Sequence, residues 1–509
     1  MSHTPSKYQV AVYDHITNGS GNAVIDAVAG SGKSTTIVEA LKLIPKNKKV
    51  LFLAFNKAIV EELKIKIGQV DNVEVRTLHS LGMSAVLKAF KCQVQDDKYK
   101  AYINDGFKYG RIAPSMQLLE EQEAEYKSNI LKLTDLARVY LCESIEKLED
   151  IADKYSMRIY DNECSIAMSA VSWGKNHVST IDFTDMIYFP NVKKIRVPKF
   201  DFVFIDECQD LNTAQRELFL QCLGKYGEDN WSNPDGRFIA VGDPRQAIYG
   251  FAGADVESFN MLKSLPNTIH LPLSVCYRSD NTIINLAKEI VPQIEARENV
   301  PEGVVCRTSK VEDIKDGDMV LCRVTAPLAA LCMQYISKGV KAYVKGRDIG
   351  ANLINMIKKI KKNKRRNMAD VMENLSAELD KVSAKIMRKT HCSLSEAREN
   401  SLFKSLQDKI NAIAVIAKDL KTADAVMNRI ETIFKDNDRS GICLSTVHKA
   451  KGLESDNVFI IREDKFYIKQ AMRVEWMAEQ ERNLVYVAYT RAKHFLGFVV
   501  DWDENTDQY

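Results

Sequence analysis

Short unbroken apolar runs recur near both ends of the chain and give way to long polar, helix-patterned segments between them. The first set is Ala23-Val24-Ile25, Val50-Leu51-Phe52-Leu53-Ala54, Val73-Glu74-Val75, Val203-Phe204-Ile205 and Phe238-Ile239-Ala240-Val241. Runs this short and this continuous predict strands covered on both faces, hence a parallel sheet. A second set is Ile269-His270-Leu271, Met319-Val320-Leu321-Cys322, Val340-Lys341-Ala342-Tyr343-Val344, Ile442-Cys443-Leu444, Val458-Phe459-Ile460-Ile461 and Phe495-Leu496-Gly497-Phe498-Val499-Val500. The pattern predicts an α/β protein with two parallel-sheet domains, 1–83 with 179–268 and 269–350 with 437–509. Each is interrupted by a mainly helical insertion: 84–178, with a long amphipathic stretch from Leu118 to Leu148, and 351–436.

The segment Ala27-Val28-Ala29-Gly30-Ser31-Gly32-Lys33-Ser34-Thr35 directly follows the first of these strands. A strand, a small-residue loop and a helix place backbone N–H groups, a helix N-terminus and a lysine around a nucleotide's phosphates. Gly30 and Gly32 permit the backbone angles that such a loop needs. Lys33 can reach the terminal phosphates, and the Ser34 hydroxyl is placed to ligate Mg²⁺. Ala27 stands where the general phosphate-loop pattern has its first glycine.

A second motif, Phe202-Val203-Phe204-Ile205-Asp206-Glu207-Cys208-Gln209-Asp210, is an apolar strand ending in two adjacent acids. Such a strand delivers its last residues to the carboxyl edge of a parallel sheet, where nucleotide sites lie. Asp206 is expected to hold Mg²⁺ and Glu207 to orient and deprotonate the attacking water.

Length and charge suit a large enzyme. At roughly 150 residues per domain, 509 residues suggest about three to four domains or one nested architecture. A net charge of +3 is too small to argue for nucleic acid by itself, although local basic stripes can act on a neutral protein. One such run, Lys358-Lys359-Ile360-Lys361-Lys362-Asn363-Lys364-Arg365-Arg366, reads equally as a solvated helix face or a phosphate-contacting patch. The eleven cysteines form no C-x-x-C pair, so neither a zinc site nor a disulfide framework is indicated. No leader-like apolar region opens the chain and no run approaches a membrane span; the expectation is a soluble, cytoplasmic protein of a bacterium or a phage-infected host.

Further blocks appear in order. Gln9 lies upstream of the phosphate loop; Phe52-Leu53-Ala54-Phe55-Asn56-Lys57-Ala58 and Arg76-Thr77-Leu78-His79-Ser80 follow it. After the acidic strand come Val241-Gly242-Asp243-Pro244-Arg245-Gln246-Ala247-Ile248-Tyr249-Gly250-Phe251 and Cys276-Tyr277-Arg278-Ser279. Leu444-Ser445-Thr446-Val447-His448-Lys449-Ala450-Lys451-Gly452-Leu453-Glu454 and Glu481-Arg482-Asn483-Leu484-Val485-Tyr486-Val487-Ala488-Tyr489-Thr490-Arg491-Ala492 complete the series. In this order the sequence resembles the UvrD/Rep family of superfamily-one DNA helicases, across both α/β domains.

The resemblance implies two RecA-like P-loop domains and ATP with Mg²⁺ as cofactors. Ala29, Gly30, Ser31, Gly32, Lys33, Ser34 and Thr35 would form the phosphate cradle. Gln9 would hydrogen-bond adenine through its amide, Tyr277 would offer the base a ring face, and Glu454 would touch the ribose. Gln246 resembles the residue that senses the γ-phosphate or its attacking water, and Arg278 and Arg491 resemble arginine fingers from the second domain. Phe55, Asn56, Thr77, His79, Tyr249, Phe251, Thr446 and His448 match positions lining the single-strand channel, where aromatic faces stack on bases and short polar groups hold phosphates.

Two departures stand out. Ala252 follows the aromatic Phe251 where the family commonly has arginine, and the second insertion is short for the family's accessory domain. The resemblance implies an ATPase stimulated by single strands, translocating 3′ to 5′ and unwinding duplex, with single-stranded DNA and its duplex junctions as partners. Roles in repair or replication, with the proteins of those processes, stay open; a monomer is expected. A single-strand-binding ATPase switch that remodels or recruits proteins without unwinding, and an RNA-directed helicase, are the alternatives.

Overall fold

The computed structural model describes residues 4–502 apart from 55, 69, 115–119, 156, 158, 160–161, 224–235, 251–256, 361–366, 391, 436–439, 468–471 and 473. The chain folds as two units. The first is Met1–Ala27 with Gly32–Ser274; the second is Val28–Ser31 with Val275–Tyr509.

The first unit is built on a six-stranded, wholly parallel sheet. Its strands are β1 (Asn22–Ala27), β2 (Val50–Ala54), β3 (Val73–Thr77), β4 (Phe202–Ile205), β5 (Arg237–Gly242) and β6 (Thr268–Leu273), in the order β3-β2-β4-β5-β1-β6. Alternate side chains of one strand enter two different cores, which is why the apolar runs are unbroken. Ile25, Phe52, Phe204 and Ile239 pack on one face with Val12 and Ile37. Val24, Leu53, Val203 and Phe238 pack on the other with Leu218 and Phe219.

Residues 269–271, expected to begin the second domain, instead lie in β6 and pair with β1 from Asn22↔Thr268 to Ala27↔Leu273. Every residue of β6 before Leu273 is half-covered or exposed, which fits its place at the sheet's edge, a distinction that an apolar triplet does not carry. The boundary drawn at residue 84 falls within the helix Leu78–Ala89. The predicted stretch from Leu118 to Leu148 divides into two helices, Glu120–Val139 and Ile145–Lys154, with Leu141 between them in a left-handed conformation at φ 51°. A short strand pair ties the first insertion to the segment that follows it, Gln93–Val94 with Thr180–Ile181, which the polar pattern does not announce. The insertion's helices share a core with the helix Phe183–Val192 that follows it, around Tyr126, Ile130, Leu133 and Phe189. Within it the Arg138 guanidinium, wholly buried, pairs with Asp182 at 2.7 Å and Asp185 at 3.0 Å, and Lys98 reaches Asp185 at 2.8 Å.

The second unit carries a seven-stranded parallel sheet of β7 (Val304–Ser309), β8 (Met319–Cys322), β9 (Ala342–Lys345), β10 (Phe434–Lys435), β11 (Ile442–Thr446), β12 (Ser455–Ile460) and β13 (Ala492–Val499). Their order is β7-β13-β12-β8-β11-β9-β10. The insertion here is helical, as expected, but residue 351 lies inside the helix Arg347–Ile360 and the segment is not packed apart. Leu353, Val371, Ile413 and Ile433 share one continuous core with Val320, Leu328 and Val344 of the sheet layer. The Asp408 carboxylate on the insertion helix Ser401–Ala417 accepts the Thr325 and Ala326 N–H groups, at 2.8 and 2.7 Å, capping the helix Thr325–Ser337. Among the described residues no helix is long and apolar enough to cross a membrane.

Candidate nucleotide and nucleic-acid sites

In the first unit the carboxyl ends of β1, β4 and β5 converge because the strands are parallel neighbours. Gly32 sits at φ 76°, ψ 30° as the N-cap of the helix Lys33–Lys42, a left-handed backbone that glycine adopts without a Cβ penalty. The helix therefore begins on Lys33, with Ser34 in its first turn and Thr35 exposed to solvent. The Lys33 ammonium meets Glu207 Oε1 at 2.7 Å. Burial opposes its charge, but the Glu207 and Asp206 carboxylates outweigh that and hold the ammonium above the ordinary lysine value.

Glu207 occupies φ 54°, ψ 41°, a region that costs a non-glycine residue about 1–2 kcal/mol. The twist turns its carboxylate back to Lys33, while Asp206 Oδ1 accepts the Glu207 N–H at 2.9 Å. Gln209 extends the array: its Nε2 donates to Glu207 Oε2 at 2.6 Å and its Oε1 accepts the Asp243 N–H at 3.1 Å. Asp243, fully buried, accepts Gln246 Nε2 on Oδ2 at 2.7 Å. A continuous hydrogen-bonded path thus joins Lys33, Glu207, Gln209, Asp243 and Gln246. Burial raises the Asp243 carboxyl above its usual range, and Arg245 and Lys33 partly restore it.

Sequence reading did not single out Gln209 or Asp243, although both stand inside quoted motifs. Gly242 shows what brings them together: a Cβ there would lie 2.3 Å from Gln209 Oε1 and 2.8 Å from Cys208 Sγ. Gly242→Ala is expected to push Gln209 off Asp243 and to cost about 1–3 kcal/mol of stability, read as a lower urea midpoint. An unchanged midpoint would mean that the approach relaxes freely.

Gln9 is buried in the helix Lys7–Asn18, its Oε1 accepting the Ser6 N–H at 3.0 Å and its Nε2 donating to the Thr36 hydroxyl at 3.0 Å. Adenine recognition through this amide would have to exchange those partners. Ser34 and Asp206 offer the hard oxygen donors that suit Mg²⁺. No group of three His, Cys, Asp or Glu able to hold a metal occurs among the described residues.

Of the strand-binding candidates in this unit, Asn56 and Thr77 are helix N-caps. Asn56 Oδ1 accepts the Ile59 N–H at 2.9 Å and Thr77 Oγ1 accepts the Ser80 N–H at 3.1 Å. His79 and Asp206 line one small cleft with Leu53, Ala54 and Leu78, and burial keeps that imidazole below its ordinary pKa. The Tyr249 phenol is pushed up to about 12 by burial, with Asp210 and Glu207 adding to the shift. Tyr155 of the first insertion donates to the Gly250 carbonyl at 2.9 Å. Phe55, Phe251 and Ala252 lie outside the described residues.

In the second unit, which includes the loop tip Val28–Ser31, the Tyr486 hydroxyl accepts the Ala29 N–H at 2.8 Å and Gly30 O accepts the Tyr277 N–H at 2.8 Å. Ser31 is buried. Gly30 stands at φ 68°, and a Cβ on it would meet Arg278 Cβ at 2.6 Å. Arg278 Nε donates to Glu454 Oε2 at 2.7 Å and NH1 to Thr490 O at 3.0 Å. Burial would raise the Glu454 carboxyl, but Arg278 and Lys493 bring it below the usual glutamate range.

Arg491, in contrast, is 1% exposed. It donates from Nε to Val487 O at 2.9 Å, from NH1 to Leu453 O at 3.0 Å and from NH2 to Thr490 Oγ1 at 3.2 Å. Thr446 caps the short helix Val447–Ala450. The His448 imidazole is driven down to about 3 by burial, with Arg323 and Lys451 adding, so it is neutral at physiological pH. Arg323 itself grips Glu481 at 2.8 Å.

Two parallel-sheet units, one bearing a lysine-tipped phosphate loop beside an Asp-Glu strand end, define a P-loop nucleotide-hydrolase architecture. The family model of the UvrD/REP helicase N-terminal domain matches residues 9–266, and that of the UvrD-like helicase C-terminal domain matches 441–499. The chain belongs to the UvrD/Rep helicase family. It is 23% identical over 512 residues to the F-box DNA helicase protein 1 of Schizosaccharomyces pombe, covering 92% of this chain and 54% of that protein. A probable DNA helicase II homolog of Mycoplasma pneumoniae is 23% identical over 605 residues, covering 94% and 82%. The ATP-dependent DNA helicase PcrA of Bacillus subtilis is 24% identical over 298 residues, covering 53% and 37%. The chain thus spans about half the length of the fission-yeast relative.

Proposed function

We propose that this protein is an ATP-driven motor that translocates 3′ to 5′ on single-stranded DNA and unwinds duplex. The observation that carries the reading is the hydrogen-bonded path from Lys33 through Glu207, Gln209 and Asp243 to Gln246. It supports the reading because Lys33, suited to binding phosphate, Glu207, suited to acting as a general base, and Gln246, suited to sensing a γ-phosphate, belong to one connected array. A triphosphate competing for the Lys33 ammonium would release Glu207 from its ion pair, so nucleotide binding itself would arm the base. Gln246, whose Nε2 donates to Asp243, would orient the attacking water by hydrogen bonding, while Glu207 takes its proton. Ser34 and Asp206 would hold Mg²⁺, which supplies charge neutralisation on the phosphates. Arg278, whose partner Glu454 is half-exposed, is the arginine best placed to exchange a carboxylate for a phosphoryl oxygen. Arg491 would first have to leave its carbonyl partners, and its finger role is the weaker of the two.

Single-strand binding is supported by helix N-termini at the ends of β2 and β3, where Asn56 and Thr77 cap amides that favour phosphate. The test is ATP hydrolysis with and without single-stranded DNA, followed by strand displacement on duplexes tailed at either end. Stimulation of at least about tenfold, and displacement from 3′ tails only, are expected. Hydrolysis indifferent to DNA would refute the reading, and preferential stimulation by RNA would redirect it to an RNA substrate.

One observation favours a second reading, a strand-gripping ATPase switch that does not unwind. The second insertion is built into the core of its own sheet layer and capped onto it by Asp408, leaving little of a separate domain to engage duplex. Hydrolysis stimulated by single strands with no displacement from either tail would select it.

A further inference from the structure

Asp26 is the one charged residue of β1, next to the phosphate loop in a strand whose other five positions are buried. A carboxylate there requires a cation, and the chain supplies Arg245 from 219 residues further on. The guanidinium faces both Asp26 oxygens: NH1 donates to Oδ2 at 2.9 Å, and NH2 stands 2.6 Å from Oδ1 as an ion pair. Its Nε lies 2.9 Å from Asp243 Oδ1, and the Asp243 Oδ2 holds the Gln246 amide. Because β1 and β5 are neighbours with Asp26 in register with Gly242, two carboxylates stand side by side at the sheet edge, and the planar guanidinium separates them. His270 on β6 approaches Asp26 Oδ2 at 3.6 Å from the other side.

We infer that Arg245 is a positioning residue for ATP hydrolysis: it locks Asp243, and through it the Gln246 amide, onto the strand that launches the phosphate loop. The inference rests on the ATPase reading above and adds Arg245 to it. Without the guanidinium, Asp243 keeps the residue-245 N–H, now 3.1 Å from its Oδ1, but loses its tie to Asp26, and the glutamine then samples orientations that do not hold the attacking water. A lysine cannot bridge two carboxylates in one plane, so it should restore only part of the effect.

The experiment is steady-state ATP hydrolysis at saturating single-stranded DNA, with affinity for a fluorescent ATP analogue measured in parallel. Arg245→Ala is expected to lower kcat about 10- to 100-fold with KM and analogue affinity within about threefold, the signature of lost positioning rather than lost binding. Arg245→Lys should fall between, and Asp26→Asn should reproduce the loss. The double variant Asp26→Asn/Arg245→Ala should be no slower than the slower single, because the two act as one unit. A kcat within about twofold of wild type in Arg245→Ala, or losses that multiply in the double variant, overturns the inference. If Arg245→Ala does not fold, Arg245→Lys decides: reduced kcat at unchanged KM supports the assignment, and unchanged kcat overturns it. A wild-type protein without ATPase activity refutes the parent reading, an outcome distinct from slow variants of an active enzyme.

Discussion

Glu207→Gln is expected to lower ATP turnover by about 10²- to 10⁴-fold, the range that a positioned general base contributes. Nucleotide binding should survive. The substitution keeps the side chain's length and an oxygen toward Lys33, but removes the charge, the capacity to take a proton and the acceptor that Gln209 Nε2 uses. The left-handed backbone at Glu207 gives the prediction its force: a residue held at φ 54° by its surroundings is aimed, and a fold tolerates that cost where the aim matters. Turnover within about threefold of wild type, with the analogue still bound, would show that the proton goes elsewhere.

Lys33→Ala should weaken ATP binding about 10- to 100-fold, the value of charge-assisted hydrogen bonds to phosphate, and abolish measurable hydrolysis. It also leaves the Glu207 carboxylate, which is largely withdrawn from water, without its cation. A stability loss of about 1–3 kcal/mol follows, moderated by the water that both groups still reach. The pH dependence has a definite sign. The folded Lys33 ammonium titrates above the ordinary lysine value, so its contribution is complete at and below neutral pH and fades only as pH climbs from that ordinary value through the folded one. Denaturant midpoints of wild type and Lys33→Met should therefore differ by a constant amount from pH 6 to 8, and a gap that closes across this window would contradict the ion-pair geometry.

Much of the candidate nucleotide site is legible along the chain because its motifs are local. A phosphate loop needs its glycines, lysine and hydroxyl within a few residues, and an acid pair at a strand end needs only the strand before it. What escaped was relational. Gln209 sits between Glu207 and Asp243 because β4 and β5 are adjacent and Gly242 lets the amide approach, a contact that no spacing rule encodes. Arg491 reads as an arginine finger in its motif, yet three of its donors are bonded within its own unit. Asn56, Thr77 and Thr446 read as strand-binding hydroxyl and amide groups, and each proves to cap a helix as well.

The fold divides the same way. Buried strands announce themselves through continuous apolar runs, so two parallel sheets and two helical insertions were already implied by the amino-acid order, together with the chemistry at two strand ends. Strand order, the edge position of β6, the merging of the second insertion into a sheet-layer core, and the Asp26–Arg245–Asp243 clamp were decided only in three dimensions. Local patterns report how each segment partitions between water and an apolar interior. Which buried segments become neighbours, and which charges must then find one another, depends on contacts between residues hundreds of positions apart, where periodicity carries no signal.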